Sequence, residues 1–224
     1  MAWRCSGRTN AELVDNLARA SIIKSADVVS AMRAVDRGHF TKTSPYEDSP
    51  QYIGYGATIS APHMHGYALE YLRSHLQPGM RALDVGSGSG YLTACMAAMV
   101  GENGRVVGID HIDELTRMSN AALEHHYPEW VLAGRIHIVT GDGRKGYPQD
   151  APYDCIHVGA ASPSRPGDLL AQLKSPGRMF VPVGTSSQSI IMYDKDAEGN
   201  VSERSLMGVI YVPLTDEAKQ RDGW

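Results

Sequence analysis

Residues 80–91, MRALDVGSGSGY, run from an apolar segment directly into three glycines spaced by serines. An apolar run that breaks into such a turn and resumes as Leu92-Thr93-Ala94-Cys95-Met96 describes a buried strand passing tightly into a helix. The pattern then repeats. Strands are expected at 80–85, 105–109, 135–139, 153–158 and 178–183, with helices at 91–100, 112–126 and 168–173. Segments 189–193 and 206–211 read as a closing antiparallel pair. Strands separated by helices require a largely parallel sheet covered on both faces, an α/β doubly wound, Rossmann-like fold. Ligands of such sheets sit outside the carboxyl ends of the strands, so chemistry is sought there.

The first third of the chain reads differently. Thr9-Asn10-Ala11-Glu12 fits a capping box, after which Leu13, Val14, Leu17 and Ala18 share one helical face. A second helix follows Ser25, with Val28, Val29, Met32 and Val35 apolar. Segment 45–62 is rich in Gly, Pro, Tyr and Ser and is too long for a mere connection, which marks a functional loop. A helix starts near His63 and stops at Gln77-Pro78-Gly79. The 224 residues suit one domain. Residues 1–78 would supply N-terminal helices and a ligand loop, and residues 79–224 the core and a C-terminal tail.

A net charge of −4 offers no general attraction to nucleic acid or anionic membrane. Segment 1–42 is locally basic (Arg4, Arg8, Arg19, Lys24, Arg33, Arg37, Lys42), but its interspersed acids fit a solvated helical face. Cys5, Cys95 and Cys155 are odd in number and widely spaced, which argues for reduced thiols in a cytosolic compartment. Residues 1–10, MAWRCSGRTN, hold no apolar core of signal-peptide length, and no later run is long enough to span a bilayer. The expectation is a cytoplasmic monomer without nucleic-acid or membrane partners.

The strand ends carry three acids. Asp84 lies two residues before Gly86, Gly88 and Gly90, and a dinucleotide fingerprint would need its third glycine one place later. A pyrophosphate at this turn would be repelled by Asp84. S-adenosylmethionine carries an ammonium and a sulfonium instead, and opposite charges about 4 Å apart attract by several kcal/mol near a protein surface. Asp110 follows the second strand, placed to accept from ribose hydroxyls or to cap the next helix. Asp142, in Thr140-Gly141-Asp142-Gly143, can accept from an adenine amino group or simply form an Asp-Gly turn. Three acids after three strands suit a cationic nucleoside cofactor better than NAD. His63-Met64-His65 would share a face if extended, yet no carboxylate or cysteine stands at matching spacing, so no metal site is expected. His125-His126 reads as a surface pair at a helix C-terminus.

The chain also resembles the protein-L-isoaspartate O-methyltransferase family, nearest its animal members, along nearly its whole length. The resemblance rests on Gly54-Tyr55-Gly56-Ala57-Thr58-Ile59-Ser60-Ala61-Pro62-His63-Met64-His65, the Ala82 to Gly90 turn, Gly108-Ile109-Asp110-His111, Gly141-Asp142-Gly143-Arg144 and Met207-Gly208-Val209-Ile210-Tyr211-Val212-Pro213-Leu214-Thr215. It implies a class I S-adenosylmethionine-dependent methyltransferase fold. It further implies that Ala57, Thr58, Ile59, Ser60 and His65 line the cofactor and substrate cleft, with Ser60 catalytic. Asp84, Gly86 and Gly88 would hold the methionine end, Asp110 and His111 the ribose and adenine flank, and Asp142 with Gly143 the adenine. Thr215 and Gln220 would fold the tail back over the cofactor. Segment 195–204 and the tail after Gln220 depart from the animal pattern.

The implied substrate is an isoaspartyl residue, whose free α-carboxylate would take the methyl; the ester would then close to a succinimide and initiate repair. A carboxylate titrating near pH 4 is already ionised, so no general base is needed. Ser60 could orient it, or could instead cap the helix after Pro62. Backbone at 158–162 and 181–184 is a candidate edge for an extended peptide, or a loop packed over the cofactor. A methyltransferase for RNA or a small hydroxyl compound would need a base or metal, and no basic groove is evident. A cofactor-binding adaptor without turnover is the other alternative.

Overall fold

The computed structural model describes residues 5–222. Arg4 of the basic N-terminal stretch and the last two residues of the tail lie outside them. Helices α1 (Asn10–Arg19) and α2 (Ala26–Ala34) open the chain. Half of the capping box forms: the Thr9 hydroxyl accepts from Glu12 N at 3.2 Å, but the Glu12 carboxylate turns back to Arg8 N at 2.8 Å rather than to Thr9 N. Leu13, Val14 and Leu17 are fully buried.

Segment 45–62 is not one open loop. It contains an antiparallel hairpin of β1 (Gln51–Gly54) and β2 (Ala57–Ile59), followed directly by α3 (Pro62–Leu72). Gly54, Tyr55 and Gly56 all take positive φ at its turn. Strands of four and three residues are too short for alternation to register in the sequence, and the turn residues dominate the reading. Ala61 rather than Ser60 is the N-cap of α3, with no side-chain cap. The Ser60 hydroxyl therefore does not serve as the cap.

The core sheet has the order β5-β4-β3-β6-β7-β8-β9. Its strands are β3 (Arg81–Val85), β4 (Arg105–Asp110), β5 (Ile136–Thr140), β6 (Tyr153–Val158), β7 (Leu173–Val183), β8 (Gln188–Lys195) and β9 (Val201–Val209). Helices α4 (Tyr91–Val100), α5 (Asp113–His126), α6 (Pro128–Leu132) and α7 (Gly167–Gln172) connect them, and α8 (Glu217–Asp222) ends the described chain. The first five strands are parallel; β7–β8 and β8–β9 are antiparallel. The doubly wound fold is thus the one expected. β9 is longer toward its start than the sequence suggests, because Ser202 to Ser205 are exposed edge residues without an apolar period.

Strand alternation sorts the core into two layers. Ala82 and Val106 face the N-terminal helices and α4, whereas Leu83, Val85, Val107 and Ile109 face α7 and its neighbours. Strand order reverses between β3 and β6, and the crevice beyond their carboxyl ends is where such a sheet takes a ligand. Leu83 is fully buried in the layer that faces α7. Leu83→Ala is expected to cost about 2–5 kcal/mol, read as a lowered urea midpoint at unchanged slope.

Candidate active site

Three connected spaces open beyond β3. A cleft is walled by Ala57, Thr58, Gly86, Gly88, Asp110, His111, Asp142 and Gly143, and roofed by Leu214, Thr215 and Gln220. It continues past Thr58, Gly86, Gly88 and Gly159 into a small inner pocket that also reaches Ile59, Ser60, His65 and Asp84. On its far side, Thr58, Ser60 and Gly159 also border an open groove of about 730 Å³, formed by α3 and residues 207–213. All the site residues expected from the sequence line the first two spaces.

The acids are held more firmly than their positions alone suggest. Asp84 is 1% exposed. Thr93 Oγ1 donates to its Oδ2 at 2.6 Å, and His157 Nδ1 lies 2.8 Å from its Oδ1. Asp84 and His157 are register partners on β3 and β6. This carboxylate reaches the inner pocket pre-oriented, with lone pairs remaining for a ligand cation. Asp110 accepts from Gly88 N and Ile112 N, each at 3.0 Å. It therefore fastens the glycine turn and leads the chain into α5 at once. Burial raises its carboxyl above the ordinary range, against the two backbone donors.

Asp142 differs from the expectation of a free acceptor. Arg144 grips it with Nε at 2.8 Å and a terminal nitrogen at 2.9 Å, holding its carboxyl below the usual value. The same Arg144 reaches Asp216 at 2.7 Å, so the end of β5 is tied to the tail. The tail is fixed a second time. His111 Nε2 lies 2.7 Å from Gln220 Oε1, and Gln220 Nε2 donates to Tyr55 O at 3.0 Å. Arg221 adds a paired contact to Glu114 at 2.6 and 3.1 Å. The sequence offered no local signal for this clamp, whose partners are far apart along the chain, more than one hundred residues in the His111–Gln220, Tyr55–Gln220 and Glu114–Arg221 contacts.

The glycine turn fits close approach by a ligand. Gly88 has φ +50°, and a side chain there would meet Ile53 at 3.3 Å; Gly143 carries no side chain where one would strike Val85. Ser87 Oγ is buried without a partner beside the inner pocket. Carboxylates, an orphan hydroxyl and bare backbone, with no basic side chain at the turn, suit the methionine end and nucleoside of S-adenosylmethionine.

His63 and His65 do not act as a pair. Both lie on α3, where residues two apart point to different faces. His63 Nδ1 is 2.8 Å from Asp48 Oδ1 and faces the groove, whereas His65 packs inward on Arg37. Among the described residues no cluster of three His, Cys, Asp or Glu could hold a metal. His125 and His126 are exposed at the end of α5, as read from the sequence, and His126 stacks on His39 at 3.6 Å.

Peptide-edge expectations need correction. Ala161 N donates to Val212 O, Leu214 N to Ala161 O, and Ser162 N to Pro182 O, at 2.8, 2.8 and 2.9 Å. Strand residues 181–183 pair with β8. Backbone groups of both segments are already used by the tail and the sheet; Gly159 and Ala160 line the cavity, residues 181–183 sit within the sheet, and residues 207–213 rim the groove.

Burial and the neighbouring Arg37 hold His65 well below its ordinary value. Below about pH 6.5 an unfolded chain protonates this imidazole while the folded one keeps it neutral, so stability falls as pH falls. His65→Gln is expected to flatten that part of the stability–pH curve measured by urea unfolding; an unchanged slope would refute the assignment.

Comparison with known proteins agrees with this geometry. Residues 8–219 match the model of the protein-L-isoaspartate(D-aspartate) O-methyltransferase (PCMT) family. A Caenorhabditis elegans protein-L-isoaspartate O-methyltransferase is 50% identical over 221 residues, covering 98% of each chain. Protein-L-isoaspartate O-methyltransferase 1 of Arabidopsis thaliana is 48% identical over 217 residues, covering 96% of this chain and 94% of its own. A Plasmodium falciparum protein of this description, solved in complex with S-adenosyl-L-homocysteine, superposes with a TM-score of 0.87 at 34% identity. It covers 93% of this chain and 99% of its own. Sequence, fold and cleft together show that the chain belongs to the protein-L-isoaspartate(D-aspartate) O-methyltransferase family.

Proposed function

We propose that this protein methylates the free α-carboxylate of L-isoaspartyl residues in peptides and damaged proteins, using S-adenosylmethionine. The observation that carries this reading is the position of Ser60, which borders both the inner pocket and the open groove. An acceptor held by the groove can therefore present a carboxylate to the end of the cofactor cavity. The bound cofactor supplies a methyl on a sulfonium, open to displacement by an ionised oxygen.

The chain's own residues supply alignment rather than proton transfer. Asp84, Asp110 and His111 would hold the methionine and ribose, and Gly143 with Asp142 the adenine. Ser60, as a neutral donor, orients the acceptor oxygen without quenching its charge. Tyr211 lines the groove together with Ser60, and burial pushes its phenol up to about 12. At neutral pH it stays protonated and leaves the groove wall beside Ser60 uncharged. Thr215 and Gln220 close the cavity roof, excluding water that would solvate the attacking oxygen or compete with it.

Residues 207–213 form the groove's rim, and β9 is the sheet edge, with Ile210 98% exposed. An extended peptide of arbitrary sequence can lie along this rim through backbone contacts. The methyl ester is a better leaving group than the acid, so the following amide nitrogen closes a succinimide that water reopens. In this reading residues 1–78 and 79–224 act as one catalytic unit, because the cleft draws on both. Cys5, Cys95 and Cys155 are buried and unpaired, which fits a reducing, cytosolic setting. Monomeric action on protein substrates, without nucleic-acid or membrane partners, completes the proposal.

The test compares methyl transfer to an isoaspartyl peptide and to its aspartyl twin. Only the former should turn over; equal rates would end the proposal. Ser60→Ala should lose an orienting bond of about 1–3 kcal/mol, roughly tenfold to a hundredfold in rate.

A further inference from the structure

Unlike the solvated bases expected along the N-terminal stretch, Arg37 is buried. It begins a short helical turn (Arg37–His39) and is 0% exposed, the one Lys or Arg that is buried among the described residues. One guanidinium nitrogen donates to Ser60 O at 2.8 Å and the other lies 3.3 Å from His65 Nδ1. The guanidinium carbon stands 5.4 Å from the Tyr91 ring centre. Its Nε is buried with no partner. Arg37 forms no ion pair with a described carboxylate: the acid that acts on it, Asp48, is bonded to His63. Burial lowers it to about 10, so it remains charged at neutral pH.

A buried cation whose hydrogen-bond partners are all neutral is costly unless counter-charge offsets it, and Asp48, bonded to His63, does so only from a distance. Ser60 and His65, the two groups it holds, both line the inner pocket. The charge therefore lies one residue behind the wall where the acceptor must stand. Because a guanidinium can only donate, His65 Nδ1 must accept and its proton resides on Nε2.

We propose that Arg37 is a positioning residue for the methyl acceptor, locking Ser60 and His65 in the pocket wall and setting a positive potential there that selects an ionised carboxylate over a neutral group. This rests on the reaction proposed above. Acting through Ser60 and His65 rather than by direct contact, the potential attracts the substrate without gripping the attacking oxygen. Transfer of the methyl turns the carboxylate into a neutral ester and removes the charge that held it, which favours release.

The experiment uses an isoaspartyl peptide and its non-reacting α-carboxamide twin as a competitive inhibitor, with S-adenosylhomocysteine binding as a check on the cofactor site. Wild type should bind the carboxamide at least about tenfold more weakly than the carboxylate. Arg37→Met should erase that preference and raise KM about tenfold, with S-adenosylhomocysteine affinity within about twofold of wild type. Arg37→Lys, which restores charge but not both donor arms, should recover the preference while kcat stays below wild type. Equal binding of the two peptides by wild type would overturn the inference without any variant, as would an Arg37→Met protein that keeps the preference. A wild type that discriminates the peptides yet transfers no methyl would instead overturn the proposed reaction, and with it this role.

Discussion

The hydrogen bond between His157 and Asp84 spans the two strands at which the sheet changes direction. It is buried, 2.8 Å long, and joins register partners of β3 and β6. A parallel sheet must open a crevice where neighbouring strands send their connections to opposite faces. Placing a carboxylate at the floor of that crevice is costly unless both oxygens are satisfied. Thr93, on the first helix after the glycine turn, satisfies the other oxygen. The turn, the strand and the following helix are thus fixed relative to one acid, and the remaining ligand-facing groups are arranged around it.

A second layer of order comes from the N-terminal third. Its helices pack on the α4 face of the sheet, which brings Arg37 and the β1–β2 hairpin to the same crevice. The hairpin contributes Ala57 and Thr58 to the cavity and leads into Ser60. The tail closes the remaining side through Arg144–Asp216 and the His111–Gln220–Tyr55 chain. These closing contacts are polar and mostly solvent-exposed, so each contributes little to stability. They suit a roof that must let a cofactor in and out, in contrast to the floor around Asp84.

The resulting division of labour fits an acceptor that arrives ionised. Neither His65, held well below its ordinary range, nor Tyr211, raised above its own, is tuned toward neutral pH as a base. The cleft supplies fixed dipoles, a neutral hydroxyl and exclusion of water. Such a site depends on placement, and placement depends on three distant parts of the chain meeting at one strand end.

Much of this was legible in the amino-acid sequence. Alternating apolar strands and helices fixed the doubly wound sheet, and the acid-before-glycine turn favoured a cationic cofactor, because both are local patterns within one strand–turn–helix unit. The short hairpin, the edge strand at 201–205 and the small helix at 128–132 were not legible, since each is too brief or too polar to show a period. Residue partnership was also hidden. Nothing near Asp142 announces that Arg144 holds it while gripping the tail, and nothing near Arg37 distinguishes it from its solvated neighbours. Sequence by itself determined which chemistry stands at each strand end; tertiary structure alone decided which of those groups are free, which are clamped and which charge lies buried behind the wall. The physical reason is that periodicity and turn chemistry act over a few residues, whereas burial and hydrogen-bond satisfaction are set by groups brought together from the whole chain.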